Sequence, residues 1–160
     1  MSELLHTLLE QESRLQFTWF SHDRAWDLGC ALKAAAEERG ASVAIDITMN
    51  GLTLFSFVMS GARGDNLEWV RRKKHSVDRY HHSTWYLGNY YKAKGKSMYD
   101  DSGVDPKDFA SHGGSFPLII RDVGVVGSIT VSGLPQEQDH QLIVDVLFEF
   151  LDEDEKALTD

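Results

Sequence analysis

The segment from His112 to His140 constrains the fold more than any other part of the chain. Two β-branched runs, at about 115–121 and 124–131, are joined by a tight turn, the pattern of an antiparallel hairpin. Gly133-Leu134-Pro135 then forms a corner, with Pro135 where the first turn of a helix tolerates a missing N–H. Leu142, Ile143, Val146, Leu147, Phe150 and Leu151 follow at helical spacing, the cleanest amphipathic stripe in the sequence. The segment reads as the hairpin and closing helix of one α/β sheet domain.

The rest of the chain supplies matching parts. Leu4, Leu5, Leu8 and Leu9 predict an N-terminal helix over residues 1–13, with Ser2 as its cap. Leu15, Phe17 and Trp19 alternate as a short strand. Ser21 opens a helix to about Arg39, whose apolar face carries Leu28, Leu32 and Ala35 beside Trp26 and Cys30. Val43, Ile45 and Ile47 read as a strand, Asn50-Gly51 as a hairpin turn, and residues 52–59 as the return strand. Residues 65–95 read as helix, divided near His82-Ser83, and 95–110 as a polar connector with one helical turn. Consecutive hairpins require antiparallel pairing. The expected class is therefore α/β (α+β): a three-layer, profilin-like α/β/α arrangement with a mostly antiparallel sheet of about five strands. The acidic tail, 152–160, is expected to fray.

At 160 residues the chain has the length of one domain, 1–160, able to bury roughly two thirds of its unfolded surface. A net charge of −9 argues against a general nucleic-acid binder, which needs a basic surface to displace counterions. The single cysteine, Cys30, excludes an internal disulfide and a multi-thiolate metal site, and suits a reducing compartment. Residues 1–12 carry acids within an amphipathic pattern, unlike a secretory signal, and no apolar run approaches the ~20 residues that span a bilayer. The expectation is a cytoplasmic protein with neither nucleic acid nor membrane as partner.

Gly113-Gly114-Ser115-Phe116-Pro117, Gly124-Val125-Val126-Gly127-Ser128-Ile129, Val131-Ser132-Gly133 and the downstream Asp139 form a pattern that resembles the haem-degrading-domain superfamily, the GlcG- and HbpS-like proteins. Ile45-Asp46-Ile47-Thr48, Asp65-Asn66, Trp69-Val70-Arg71-Arg72-Lys73 and Gln136-Glu137-Gln138-Asp139-His140 extend the resemblance, to one branch of that superfamily, over nearly the whole chain. The resemblance implies a three-layer α/β/α fold and a homo-oligomeric habit, and it makes haem the cofactor to test.

Several constellations are candidates for binding. Neutral imidazole ligates metals and haem iron, which draws attention to His75, His81, His82, His112 and His140. His81 and His82 are adjacent, so on a helix they point about 100° apart and only one faces a given site. Gly113-Gly114-Ser115 is either a loop whose N–H groups converge on an anion or a positive-φ entry to the strand. Arg71-Arg72-Lys73-Lys74-His75 wraps more than one helical turn, so most of it reads as a solvated face. Arg71 and Arg72 stand out because a guanidinium fork suits fixed pairing, here with Asp46 or Asp65. The candidate ligand site is therefore His81, His82, His112, Gly113, Gly114, Arg71 and Arg72, with no metal site.

Catalytic patterns are absent from the sequence. No Gly-x-Ser-x-Gly elbow occurs, and Asp139 and His140 are too close in sequence to form a relay with Ser132. Cys30 reads as a small buried hydrophobe. The cluster Trp85-Tyr86-Leu87 with Tyr90-Tyr91 covers several directions around its helix, which suggests subunit contacts. The leading expectation is a homo-oligomeric binding protein for a small anionic ligand or a tetrapyrrole. An oligomeric scaffold docking a protein partner along its acidic C-terminal end is the alternative. A weak haem-degrading or hydrolytic enzyme is third.

Overall fold

The structure is a computed structural model describing residues 2–159. In chain order the elements are α1 (Glu3–Arg14), α2 (His22–Glu38), β1 (Ala44–Met49), β2 (Leu52–Val58), α3 (Gly64–Tyr80), α4 (Thr84–Lys94), α5 (Met98–Ser102), β3 (Ser115–Ile120), β4 (Gly124–Ser132) and α6 (Gln136–Thr159). Three serines start helices as their positions suggest. Ser2 accepts from the Leu5 N–H, Ser21 from Arg24 and Ser83 from Tyr86, each satisfying a donor that the first turn leaves free.

The sheet has four antiparallel strands in the order β2-β1-β4-β3. The fifth strand expected around Leu15–Trp19 shrinks to one bridge. Phe17 donates to the Ile119 carbonyl at 2.8 Å and accepts from Arg121 at 2.8 Å. Only residues 15–20 separate α1 from the Ser21 cap of α2, which leaves too little extended chain for a longer ladder.

Strand alternation gives the sheet two unlike faces. Val43, Ile45, Ile47, Phe116, Leu118, Ile129 and Val131 pack under α2 and α6 in the main apolar core. The opposite face carries Asp46, Thr48, Ser128, Thr130 and Ser132 and lies under α3. Buried groups there must find partners. Thr48 donates to Asp46 at 2.6 Å, Lys74 of α3 reaches Asp46 at 3.2 Å, and the Ser115 and Thr130 hydroxyls meet at 2.8 Å. One side of the sheet is oil and the other is a buried polar layer.

Several sequence expectations change in this frame. Of the aromatic cluster, Tyr86, Leu87 and Tyr91 are core: they join Leu5, Leu8, Met98 and Val104 in a second apolar cluster that docks α1 onto α4 and α5, with Trp85 and Tyr90 half-buried at its edge. Cys30 and Trp26 are exposed, because the buried stripe of α2 runs instead through Ala25, Leu28, Leu32 and Ala36. Helix α6 extends through Thr159, and Arg24, itself buried, forms an ion pair with Asp154 beyond Leu151. Asp160, the end of the expected frayed tail, lies outside the described residues.

Candidate functional site

A cleft of about 400 Å³ opens where three segments meet at one end of the polar layer. The first half of α3 supplies Asp65, Asn66, Trp69 and Lys73. The loop before β3 supplies His112. The corner between β4 and α6 supplies Ser132, Gly133, Leu134, Gln136 and Asp139. The helical residues fall at i, i+3 or i+4, and i+7, so one face of α3 forms a wall.

At the inner end lies the Lys73–Asp139 pair. Their side chains are 4% and 2% exposed, with Nζ 3.2 Å from Oδ2. Lys73 also donates to the Val131 carbonyl at 3.3 Å. Asp139 accepts from the backbone N–H of Leu134 at 2.9 Å and of Gly133 at 3.4 Å, which ties the strand-to-helix corner to the carboxylate. Burial disfavours charge on both partners. It pushes the Lys73 ammonium down against the opposing pull of Asp139, and raises the Asp139 carboxyl to about 6 although Lys73 and the two N–H groups act the other way.

Gly114 makes room for this pair. A Cβ at that position would stand 2.5 Å from the Val131 oxygen and 2.6 Å from Lys73 Nζ, and its φ of +133° is one that L side chains rarely adopt. Gly113 is equally confined, with a Cβ falling 2.5 Å from the Gln136 carbonyl; its N–H donates to the Gln136 side chain at 3.0 Å. The glycine pair therefore meets a close-approach requirement, and the Gly113 N–H is already engaged.

His112 stands at the wall with its ring edge-on to Trp69, centroids 5.0 Å apart. Its Nδ1 is buried and has no protein partner. Burial, then the nearby Lys73 and Arg72 charges, push its pKa below the ordinary histidine value, so the ring is neutral near pH 7. The Arg72 guanidinium lies over the Trp69 ring at 4.3 Å, and its buried Nε likewise lacks a partner. The imidazole thus sits in the field of two cations.

Of the seven candidate residues, the fold sets His112 in the cleft wall, packs Gly113 and Gly114 beside it against Gln136 and Lys73, and places Arg72 behind Trp69. The other three are elsewhere. Arg71 is half-exposed and clamped by Glu68 at 2.6 Å and Asp108 at 3.0 Å, while Asp46, one of its expected partners, is taken by Lys74. His81 is exposed and terminates α3 in the left-handed region, φ 59°. His82 bonds through Nδ1 to Glu12 of α1 at 2.7 Å, so α1 holds it away from His112. His75 binds the Asp108 carbonyl at 2.8 Å, and His140 is buried against Gln11 at 2.8 Å. Among the described residues no group of three or more His, Cys, Asp or Glu side chains is placed to hold a metal ion.

The residues missed in the sequence were Lys73 and its neighbours. A signal for Lys73 existed: it falls on the same helical stripe as Val70 and Val77, where a lysine interrupts a buried face. Trp69 and Asn66 belonged to the quoted family pattern without an assigned role, while Asp65 was expected to pair with Arg71 or Arg72 and Asp139 was set aside as a relay member.

Comparison with known proteins places this geometry in a family. The model of the haem-degrading HbpS-like proteins matches residues 20–147. A UPF0303 protein of Psychromonas ingrahamii is 44% identical over 153 residues, covering 96% of each chain. The crystal structure of the Ybr137w protein is similar at a TM-score of 0.89 and 34% identity, over 96% of this chain and 91% of that one. The crystal structure of a PduOC:haem complex shares the fold at a TM-score of 0.69 and 20% identity, over 80% of this chain and 92% of that one. The chain belongs to the HbpS-like family of haem-degrading proteins.

Proposed function

We propose that this protein binds a small anionic ligand in the cleft between α3 and the β4–α6 corner. The observation that carries the reading is the unpartnered buried nitrogen of the cleft wall, His112 Nδ1, on a wall that also presents Lys73. An imidazole in the field of the Lys73 and Arg72 charges favours an anionic neighbour. Asn66, Ser132 and Gln136 add polar groups suited to orienting a carboxylate or hydroxyl. The volume is at the lower end of small-molecule sites, roughly 300–1,000 Å³.

A second reading follows from the family and from the haem complex formed by the PduOC protein of the same fold. His112 is the one imidazole lining the cleft, it is held neutral, and it would be the residue to hold the iron. The lining otherwise has only Trp69 and Leu134 as large apolar groups, whereas a macrocycle needs apolar faces. The small-anion reading therefore stands first.

One experiment separates them. Backbone amide shifts are recorded for the full chain during titration with pyruvate, and the Soret band during titration with haemin, each repeated on His112→Gln. Saturable shifts at residues 112–114 and 132–136, weakened by the substitution, support the small-anion site. A saturable Soret shift lost in His112→Gln, without pyruvate-dependent shifts, would put haem first. Absence of both responses would overturn the cleft as a ligand site.

A further inference from the structure

Lys73 is unusual among the lysines of this chain. It is almost wholly buried, yet lines an open cleft, and its Nζ is in contact with a carboxylate that is itself buried and held by two backbone N–H groups. Lys74, the next residue of the helix, closes the polar layer by pairing with Asp46 and Thr48, which accounts for it structurally. Lys73 reaches only the Val131 carbonyl and Asp139, and Asp139 lines the cleft with it. Gly114 is cut away at the Nζ position, so the amine sits in space that any other residue would fill.

Amines become nucleophilic when desolvation and a proton-accepting neighbour release them from the ammonium form. We infer that Lys73 is a carbonyl-capturing residue: it condenses with a short 2-oxo acid bound in the cleft to form an imine, with Asp139 carrying the proton. This rests on the reading of the cleft as a small-anion site and names its ligand class. The 2-oxo acid meets two requirements of the cleft, a carboxylate for the side near His112, where the Lys73 and Arg72 charges act, and an electrophilic carbon for the amine.

The step balances without an outside reactant. The Lys73 ammonium gives one proton to the Asp139 carboxylate across the 3.2 Å contact. The free amine pair forms a bond to the carbonyl carbon, and the carbonyl π pair moves to oxygen. A proton passes from the new C–N nitrogen to that oxygen, giving a neutral carbinolamine. Asp139 then returns its proton to the hydroxyl, the C–O bond breaks, water leaves, and the nitrogen pair completes the C=N bond of a protonated imine. One water is released, and Asp139 ends as the carboxylate it began as. Both shifts toward the uncharged forms favour the first transfer.

The test treats the full-length protein with pyruvate and sodium cyanoborohydride, then measures intact mass and maps the modified peptide. The expected result is one adduct per chain, the mass of pyruvate less one water plus two hydrogens, located on Lys73. Lys73→Arg should lose it. Because a variant at so confined a position can fail to fold, Asp139→Asn is measured in parallel: it keeps the amine and should lose most of the trapping rate while retaining pyruvate-dependent amide shifts. Adducts spread over exposed lysines, or a rate unchanged in Asp139→Asn, would overturn the inference. Amide shifts at the cleft without any Lys73 adduct would overturn it while leaving the binding function standing. Absence of both shifts and adduct would remove both.

Discussion

Gly114 and His140 show how single residues set the properties of the polar layer. Gly114 combines a left-handed φ with contacts that would put a Cβ inside the van der Waals radii of Val131 and Lys73. Gly114→Ala should cost about 1–3 kcal/mol from backbone strain, with a further loss as Lys73 is displaced. Urea unfolding checks the stability, and pyruvate titration checks the cleft. His140 is pushed down to about 4 by burial, against the upward pull of Asp145. Its folded pKa lies below the unfolded value, so the unfolded chain binds the extra proton first as the pH falls. Stability from this residue is complete above about pH 6.5 and is lost toward pH 4, on the order of 3 kcal/mol in all. Asp139 has the opposite sign, its raised pKa favouring the fold as pH drops through 6. Comparing wild type with His140→Gln cancels the Asp139 contribution: unfolding midpoints measured from pH 7 to pH 4 should fall more steeply for wild type.

At the scale of elements, the joint between α1 and α4 turns on one carboxylate. Glu12 is buried and accepts from His82 Nδ1 at 2.7 Å and from the Ser83 N–H at 3.2 Å, while the Ser83 hydroxyl caps α4. Glu12→Ala leaves a buried N–H without a partner and releases His82, at a cost of about 1–3 kcal/mol. Hydrogen exchange should show α1 and the first turn of α4 losing protection together while the sheet keeps its own. If α1 alone loosens, Glu12 is not the joint. Most of this element structure was legible in sequence, because capping serines, the Asn50-Gly51 turn and the apolar periods are local signals. The joint was not legible, since Glu12 and His82 are far apart in sequence and nothing local marks either as a partner. The same limit hid the role of Trp85–Tyr91: an aromatic helix looks two-sided until the helix that covers it is known, and here α1 does so.

For the whole molecule, α6 is the element that closes the apolar layer. It runs under the sheet beside α2, and Arg24 of α2 reaches Asp154 near its far end while stacking between Trp19 and Phe150. Asp154→Ala should cost about 2 kcal/mol, less than for a fully buried pair because Asp154 keeps contact with water. Amide exchange beyond Leu151 should accelerate in that variant, and thermal unfolding should shift down. None of the described helices is long and apolar enough to cross a membrane, in agreement with the short apolar runs of the sequence.

The sequence by itself determined the helices, four of the five expected strands, the antiparallel class, the family and the location of His112 beside two confined glycines. Each of these is carried by neighbours in the chain: periods of two or 3.6, caps, turn residues and contiguous motifs. Only the tertiary structure decided that the sheet buries a polar face, that Lys73 meets Asp139, and that His81, His82 and Arg71 belong to other contacts. A buried charge is stable only beside a specific partner, and that partner, sixty-six residues away for Lys73, is chosen by the folding of the sheet and not by local spacing.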